Sequence, residues 1–267
     1  MKKLALFATA LAALILCSCS KHERNYPGPD WEVDFCQFAI HYFVPSADLN
    51  TVVVDEMQVN GELYANNKSS SGIFKSYNGI PVQIENSPNR FFIGYNDMVV
   101  KFFKDNNLIY DQKVTNLQNG GTYHIVVYDL EKAPAVFSGV GIEETYEPTI
   151  FLKFANFLFQ DPTTKYPGTV RLQYAYQDDD NWKTADKAIK FGEATGTVSI
   201  KRIDQYQPIR LRVVDQNGSV LTSGEEGTEI TMDIAPGTGA NQEFFVLFLG
   251  GNLEDGQPAD LFRWNSK

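Results

Sequence analysis

The sequence predicts an all-β protein, two tandem antiparallel β-sandwich domains behind a cleaved secretory signal peptide. Three observations lead there. No stretch of three turns carries apolar residues at helical i, i+3, i+4 spacing, and the nearest, Trp182 to Phe191, is short. Short runs rich in Val, Ile, Phe and Tyr recur instead, broken by Asn, Asp, Gly and Pro, the pattern of strands and turns. Finally, those runs repeat in order between the two halves of the chain.

Taken in order, the chain begins with an address. Lys2 and Lys3 precede an apolar run from Leu4 to Leu16 in which Thr9 is the only polar residue. That run is too short to span a bilayer as a helix and has the length of a secretory core segment. Ser18 offers a small residue before the cut, and Cys19 follows it. Leu16-Cys17-Ser18-Cys19 resembles the bacterial lipobox, with Cys17 departing from the usual small residue. The resemblance implies a signal peptide over 1–18 and lipidation of Cys19. Two or three acyl chains on one cysteine hold a protein on a membrane without a transmembrane helix. Ser20-Lys21-His22-Glu23 resembles the charged tags of Bacteroidetes surface lipoproteins, the acidic pair reduced to Glu23. The implied location is the outer membrane, at the cell surface or on the periplasmic face. Residues 19–30 then form a tether stiffened by Pro27 and Pro29.

The cargo is acidic. Removing Lys2 and Lys3 takes the basic residues from 23 to 21 against 33 acidic ones, so the formal charge moves from −10 to −12. Such a surface repels nucleic acid, and no nucleic-acid partner is expected. After Cys19 only Cys36 remains, within Phe35-Cys36-Gln37-Phe38, so no internal disulfide can form and a buried thiol is expected. The ligands for a structural zinc site are missing, and no metal or other cofactor is expected.

Within the first half, Phe38 to Phe43 matches Phe154 to Phe159 in the second, and Thr51 to Val54 matches Thr169 to Leu172. Val100-Lys101-Phe102-Phe103 leads through Asp105-Asn106-Asn107 into Leu108-Ile109; Leu211 to Val214 leads through Asp215 to Gly218 into Val220-Leu221. Both read as hairpins whose turns tolerate positive φ. Tyr123 to Val127 matches Phe244 to Phe248. A duplicated domain accounts for this order, with domain 1 at 31–137, a linker at 138–147 and domain 2 at 148–267. Lys68 to Gly72 and Gly237 to Gly239 read as loops.

Asn116-Leu117-Gln118-Asn119-Gly120-Gly121-Thr122-Tyr123, followed by Ile125-Val126-Val127, resembles the ending of the bacterial domain-of-unknown-function 4397 family. The Phe38 and Val52 strands sit where that family has its first two. The resemblance covers most of the first half and, more faintly, the second. It implies Ig-like sandwiches on secreted or lipid-anchored proteins, often in tandem, and transfers no active residues.

Chemistry is sparse. His41 and His124 are the only histidines beyond the tether, both in predicted strands, where a hydrogen-bonded structural role is expected. No serine or cysteine sits in a nucleophile motif. Asp178-Asp179-Asp180-Asn181 lacks the glycine and distal glutamate of a calcium loop. Its flanks make it the candidate ligand-binding cluster: Tyr174 and Tyr176 before it, Trp182 after it. Aromatic faces beside acids and amides hold sugar rings; the plainer reading makes Leu172, Tyr174 and Tyr176 one face of a core strand. The expectation is a non-catalytic, lipid-anchored envelope protein acting as a binding or interaction module for a glycan or an envelope protein. The alternatives are a carbohydrate-binding accessory of a glycan uptake system and a subunit resembling fimbrillin pilus lipoproteins.

Overall fold

The computed structural model describes residues 35–45, 52–66, 73–75, 90–92, 98–141, 145–177, 179–202, 206–224, 226–235, 242–254, 256 and 258–265. The signal segment, Cys19, the tether, the loops at 68–72 and 237–239, and Asp178 lie outside these residues. The described residues contain strands and turns and no helix, so the chain is all-β. Trp182 to Phe191 is irregular, carrying one short strand and an isolated bridge at Ile189.

The first half contains β1 (Phe35–Tyr42), β2 (Val52–Val54), β3 (Glu56–Val59), β4 (Glu62–Asn66), β5 (Phe74–Lys75), β6 (Arg90–Phe92), β7 (Met98–Lys104), β8 (Asn107–Val114), β9 (Thr122–Val127) and β10 (Ala135–Ser138). The second contains β11 (Thr149–Asn156), β12 (Phe159–Asp161), β13 (Thr164–Lys165), β14 (Val170–Tyr176), β15 (Lys183–Thr184), β16 (Val198–Lys201), β17 (Ile209–Asp215), β18 (Thr222–Ser223), β19 (Thr228–Glu229), β20 (Thr231–Ile234), β21 (Gln242–Gly250) and β22 (Asp260–Asn265).

Each half pairs its first long strand with its last in parallel, β1 with β9 and β11 with β21. The surrounding sheets run β10-β9-β1-β6 and β16-β11-β21-β22. Facing them are β4-β3-β7-β8 and β15-β14-β17-β20, paired antiparallel throughout. Strict alternation builds both cores. Cys36, Phe38, Ile40 and Tyr42 of β1 meet Met98, Val100 and Phe102 of β7. Ile150, Leu152 and Phe154 of β11 meet Ile209, Leu211 and Val213 of β17. Cys36 is fully buried there, and burial pushes its thiol up to about 11.

A third cluster joins the halves. Phe43 and Val126 from the first pack with Ala155, Phe157, Val246 and Phe248 from the second. The β1–β9 and β11–β21 pairs therefore lie back to back, giving four sheet layers and three buried seams within one compact unit, Phe35–Lys267. This explains why every residue of β11 is buried. A strand covered on both faces reads as continuous apolar sequence, as Thr149–Asn156 largely does. The segment at 138–147 is stitched in at its described ends. Ser138 closes β10, Gly141 N–H bonds to Thr197 Oγ1, and the Thr145 carbonyl accepts from Gln242.

Two local details differ from the sequence reading. Phe43 N–H donates to Val127 and Phe157 N–H to Leu249, so Phe43 corresponds to Phe157 rather than Phe159, and Val127 to Leu249 rather than Phe248. A one-residue slip exchanges the faces of a strand. Phe245, Leu247 and Leu249 consequently line the second core, while Phe248 faces the other half. Likewise the two hairpins are unequal. Asp105 and Asn106 both take positive φ, the type I′ geometry, and β8 returns along the whole of β7. After Asp215 only a Val214–Val220 bridge forms, and β17 takes β20 as its sheet neighbour.

Gly250, at the end of β21, has no room for a Cβ because the ring of Phe43 lies against it. Gly250→Ala is expected to displace that buried ring and cost about 1–3 kcal/mol in chemical denaturation. An unchanged denaturation midpoint would show that the ring yields freely.

Candidate functional site

The residues around the acidic loop divide between the two faces of the β15-β14-β17-β20 sheet. On β14, Tyr174 and Tyr176 share the inner face with Val170 and Leu172 and pack, half-buried, against the second core. Their rings meet edge-on at 6.3 Å. The Tyr176 hydroxyl donates to the Lys201 carbonyl at 2.8 Å, and Lys183 lies 5.0 Å over its ring. These tyrosines close the edge of the core.

Trp182 lies on the outer face. Its ring carries the Arg212 guanidinium at 4.1 Å and that of Arg210 at 5.2 Å. Arg210 and Arg212 alternate with core residues along Ile209-Arg210-Leu211-Arg212-Val213, so both side chains leave the sheet on the side away from the core. Arg212 Nε donates to Gln173 Oε1 at 2.8 Å, the residue directly opposite on β14. Arg210 Nη2 donates to the Asp179 carbonyl and to Asp180 Oδ1, each at 2.9 Å. Asp179 Oδ1 in turn accepts from Asn181 N–H, an Asx turn that shapes the loop tip. The acidic loop thus orders itself against Arg210, and Asp178 lies outside the described residues. Among the described residues, no three His, Cys, Asp or Glu side chains gather as a metal site.

The outer-face arginines went unread in the sequence because their partner Trp182 is about thirty residues away in the chain and meets them only across the sheet. The signal was present: basic residues at alternate positions of an apolar strand in an acidic protein. A cleft was also unread. A cleft of about 640 Å³ opens beside the β18–β19 ribbon, with the carboxylates of Glu226, Glu229 and Asp260 on its wall. Burial raises the Asp260 carboxyl above the ordinary carboxylate range. Ser223, at its edge, is committed to the backbone: its hydroxyl donates to the Asn252 carbonyl and accepts from Ala259 N–H.

His41 and His124 meet in the seam between the halves. Nε2 of His41 lies 3.0 Å from Nδ1 of His124, both rings are buried, and Phe248 contacts each. One nitrogen must donate and the other accept, so the contact suits neutral rings. Burial, with the Lys153 charge adding to it, pushes His124 down to about 3. Lys153, itself lowered by burial, donates to the carbonyl and hydroxyl of Ser138. The pair is packed among the aromatic rings of Phe137, Phe248 and Trp264.

No family model matches this chain, and no curated protein does. Among solved structures it is similar to a leucine-rich repeat protein from Bacteroides thetaiotaomicron, at 10% identity and a TM-score of 0.19. The overlap covers 84% of this chain and 27% of that one, so the chain spans about a quarter of that protein's length. A superposition so shallow carries neither fold nor function across.

Proposed function

We propose that the chain is a non-catalytic, lipid-anchored envelope protein whose two Ig-like sandwiches form one rigid binding or interaction module. The supporting observation is the back-to-back seam of Phe43, Val126, Phe157, Val246 and Phe248. It ties the halves into one unit and leaves the outer sheet faces and loops as display surfaces on a stiff scaffold. Burial of His41 against His124 supports the non-catalytic reading, since it removes both bases from solvent. Cys19 is the anchor in this reading, and the outer membrane the location.

Metabolic labelling of the full chain with a palmitate analogue, followed by envelope fractionation, tests the anchor. The wild type should carry label and sediment with membranes, and Cys19→Ala should lose both. Label retained in Cys19→Ala would overturn the anchor assignment. Turnover of any envelope polymer, abolished by one side-chain change, would overturn the non-catalytic half. A glycan-capturing role is the second reading, favoured by Trp182 with Arg210, Arg212 and Gln173 on one open sheet face.

A further inference from the structure

We propose that the outer face of the β15-β14-β17-β20 sheet binds an acidic polysaccharide, whose carboxylate or sulfate groups are held by Arg171, Arg210 and Arg212 beside Trp182. This deepens the binding-module reading and rests on it.

The face is built by register. Arg171, Gln173 and Ala175 of β14 stand opposite Val214, Arg212 and Arg210 of β17. Thr184 of β15 stands opposite Gln173, and Thr231 of β20 opposite Arg212. Directly opposed residues in an antiparallel pair share a face, so three guanidiniums, one amide and two exposed hydroxyls share one face, with the Trp182 indole against Arg210 and Arg212.

Charge decides what fits. The chain carries −10 overall, yet this face gathers three cations. Arg210 is the one answered by acid, and its partner Asp180 is 94% exposed, an ion pair of little strength. Asp233 stands opposite Arg210 in register without an ion pair to it. Arg212 spends Nε on Gln173 and rests on the indole, leaving both Nη groups free for a two-pronged bond to an oxyanion. Among the described residues Arg171 has no ion pair, and its Nε is shut from water without an acceptor, so an anion would meet its Nη groups.

The ring geometry narrows the class. Arg212 already occupies an indole face, so Trp182 positions a guanidinium and does not offer that face to a neutral sugar or a base. Gln173, Thr184 and Thr231 match the hydroxyls between the acidic groups of a polysaccharide.

The test uses the full chain in detergent micelles over immobilised polygalacturonate, chondroitin sulfate and methyl-esterified pectin. Binding is expected to the first two and not to the ester, which keeps the sugars and removes the charge. Affinity should fall with added salt, as interactions between exposed charges do. Arg212→Gln should weaken binding about tenfold or more, the worth of a charge-assisted bond. Arg212→Lys, which keeps charge and loses the fork, should fall between. Arg171→Gln, off the indole, should weaken binding without moving the unfolding midpoint, which a purely structural arginine could not do. Equal binding to the ester, equal binding to single-stranded DNA, or no effect of either glutamine variant would overturn the proposal. No binding to either acidic polymer, with anchoring intact and no turnover, would overturn it alone and leave the module reading standing.

Discussion

Phe248→Ala is expected to destabilise the protein by about 3–5 kcal/mol, the range for truncating a buried phenylalanine. The ring is fully buried on the face of β21 that turns away from the second core. It lies 4.3 Å from the His41 ring, 5.4 Å from Phe43, 5.9 Å from His124 and 6.1 Å from Phe137. All four belong to the first half, so this side chain does more than fill a core: it couples two. Its loss opens a cavity beside two polar rings whose remaining aromatic neighbours are Trp264 at His41 and Phe137 at His124. The wild type should unfold in one denaturant transition, and Phe248→Ala in two, because each half keeps its own apolar cluster. Phe245→Ala makes the contrast. Phe245 faces the second core, so its loss should weaken that half without splitting the transition. A Phe248→Ala cost within about 0.5 kcal/mol, the scale of surface substitutions, would show that the seam does not hold the halves together.

The second large effect is acid lability of the same seam. His124 has a folded pKa of about 3 against an ordinary 6.5. Below 6.5 the unfolded chain takes a proton that the folded chain refuses, so unfolding is favoured. The contribution is fully present above 6.5 and is lost progressively as pH falls toward 3, by up to about 1.4 kcal/mol per pH unit. His41 sits against the ring and Lys153 repels a second cation nearby, so neither neighbour relieves the protonated form. Carboxylates held below their ordinary range act lower. Asp161, for example, is held below its ordinary 3.8 by the Thr163 hydroxyl and is lost as pH falls further. The Asp260 carboxyl, raised by burial, acts in the opposite sense, so the histidine's share of the slope between pH 6.5 and about 4.5 is the difference between wild type and a variant at His124. His124→Gln, which keeps a polar partner for His41 and cannot be protonated, should flatten the slope in that range. An equal slope in the variant would assign the acid lability elsewhere.

Much of the strand content was legible because it is local. Phe38, Ile40 and Tyr42 alternate with polar or small neighbours, and alternation alone marks a half-buried strand. The Asp105-Asn106 turn was legible for the same reason, since few residues other than glycine accept left-handed φ as readily as Asn and Asp. Register was less legible. Phe244 and Phe245 are adjacent, equally large phenylalanines, and nothing local says which one faces the core. The acidic loop was read as one constellation with Tyr174, Tyr176 and Trp182. Adjacency in sequence hid that a sheet separates the tyrosines from the tryptophan.

The all-β character, the turn positions, the burial of Cys36 and the acidic charge all follow from residue type and near-neighbour spacing, and so can be read along the chain. The parallel pairing of β1 with β9, more than eighty residues apart, emerges only in three dimensions. The same holds for the two halves lying back to back across Phe43 and Phe248, the burial of His41 against His124, and the placing of Arg212 on Trp182. Those contacts join residues with no local relation. They exist because each half has a sheet whose second face is also apolar, and burying those two faces against each other removes both from water.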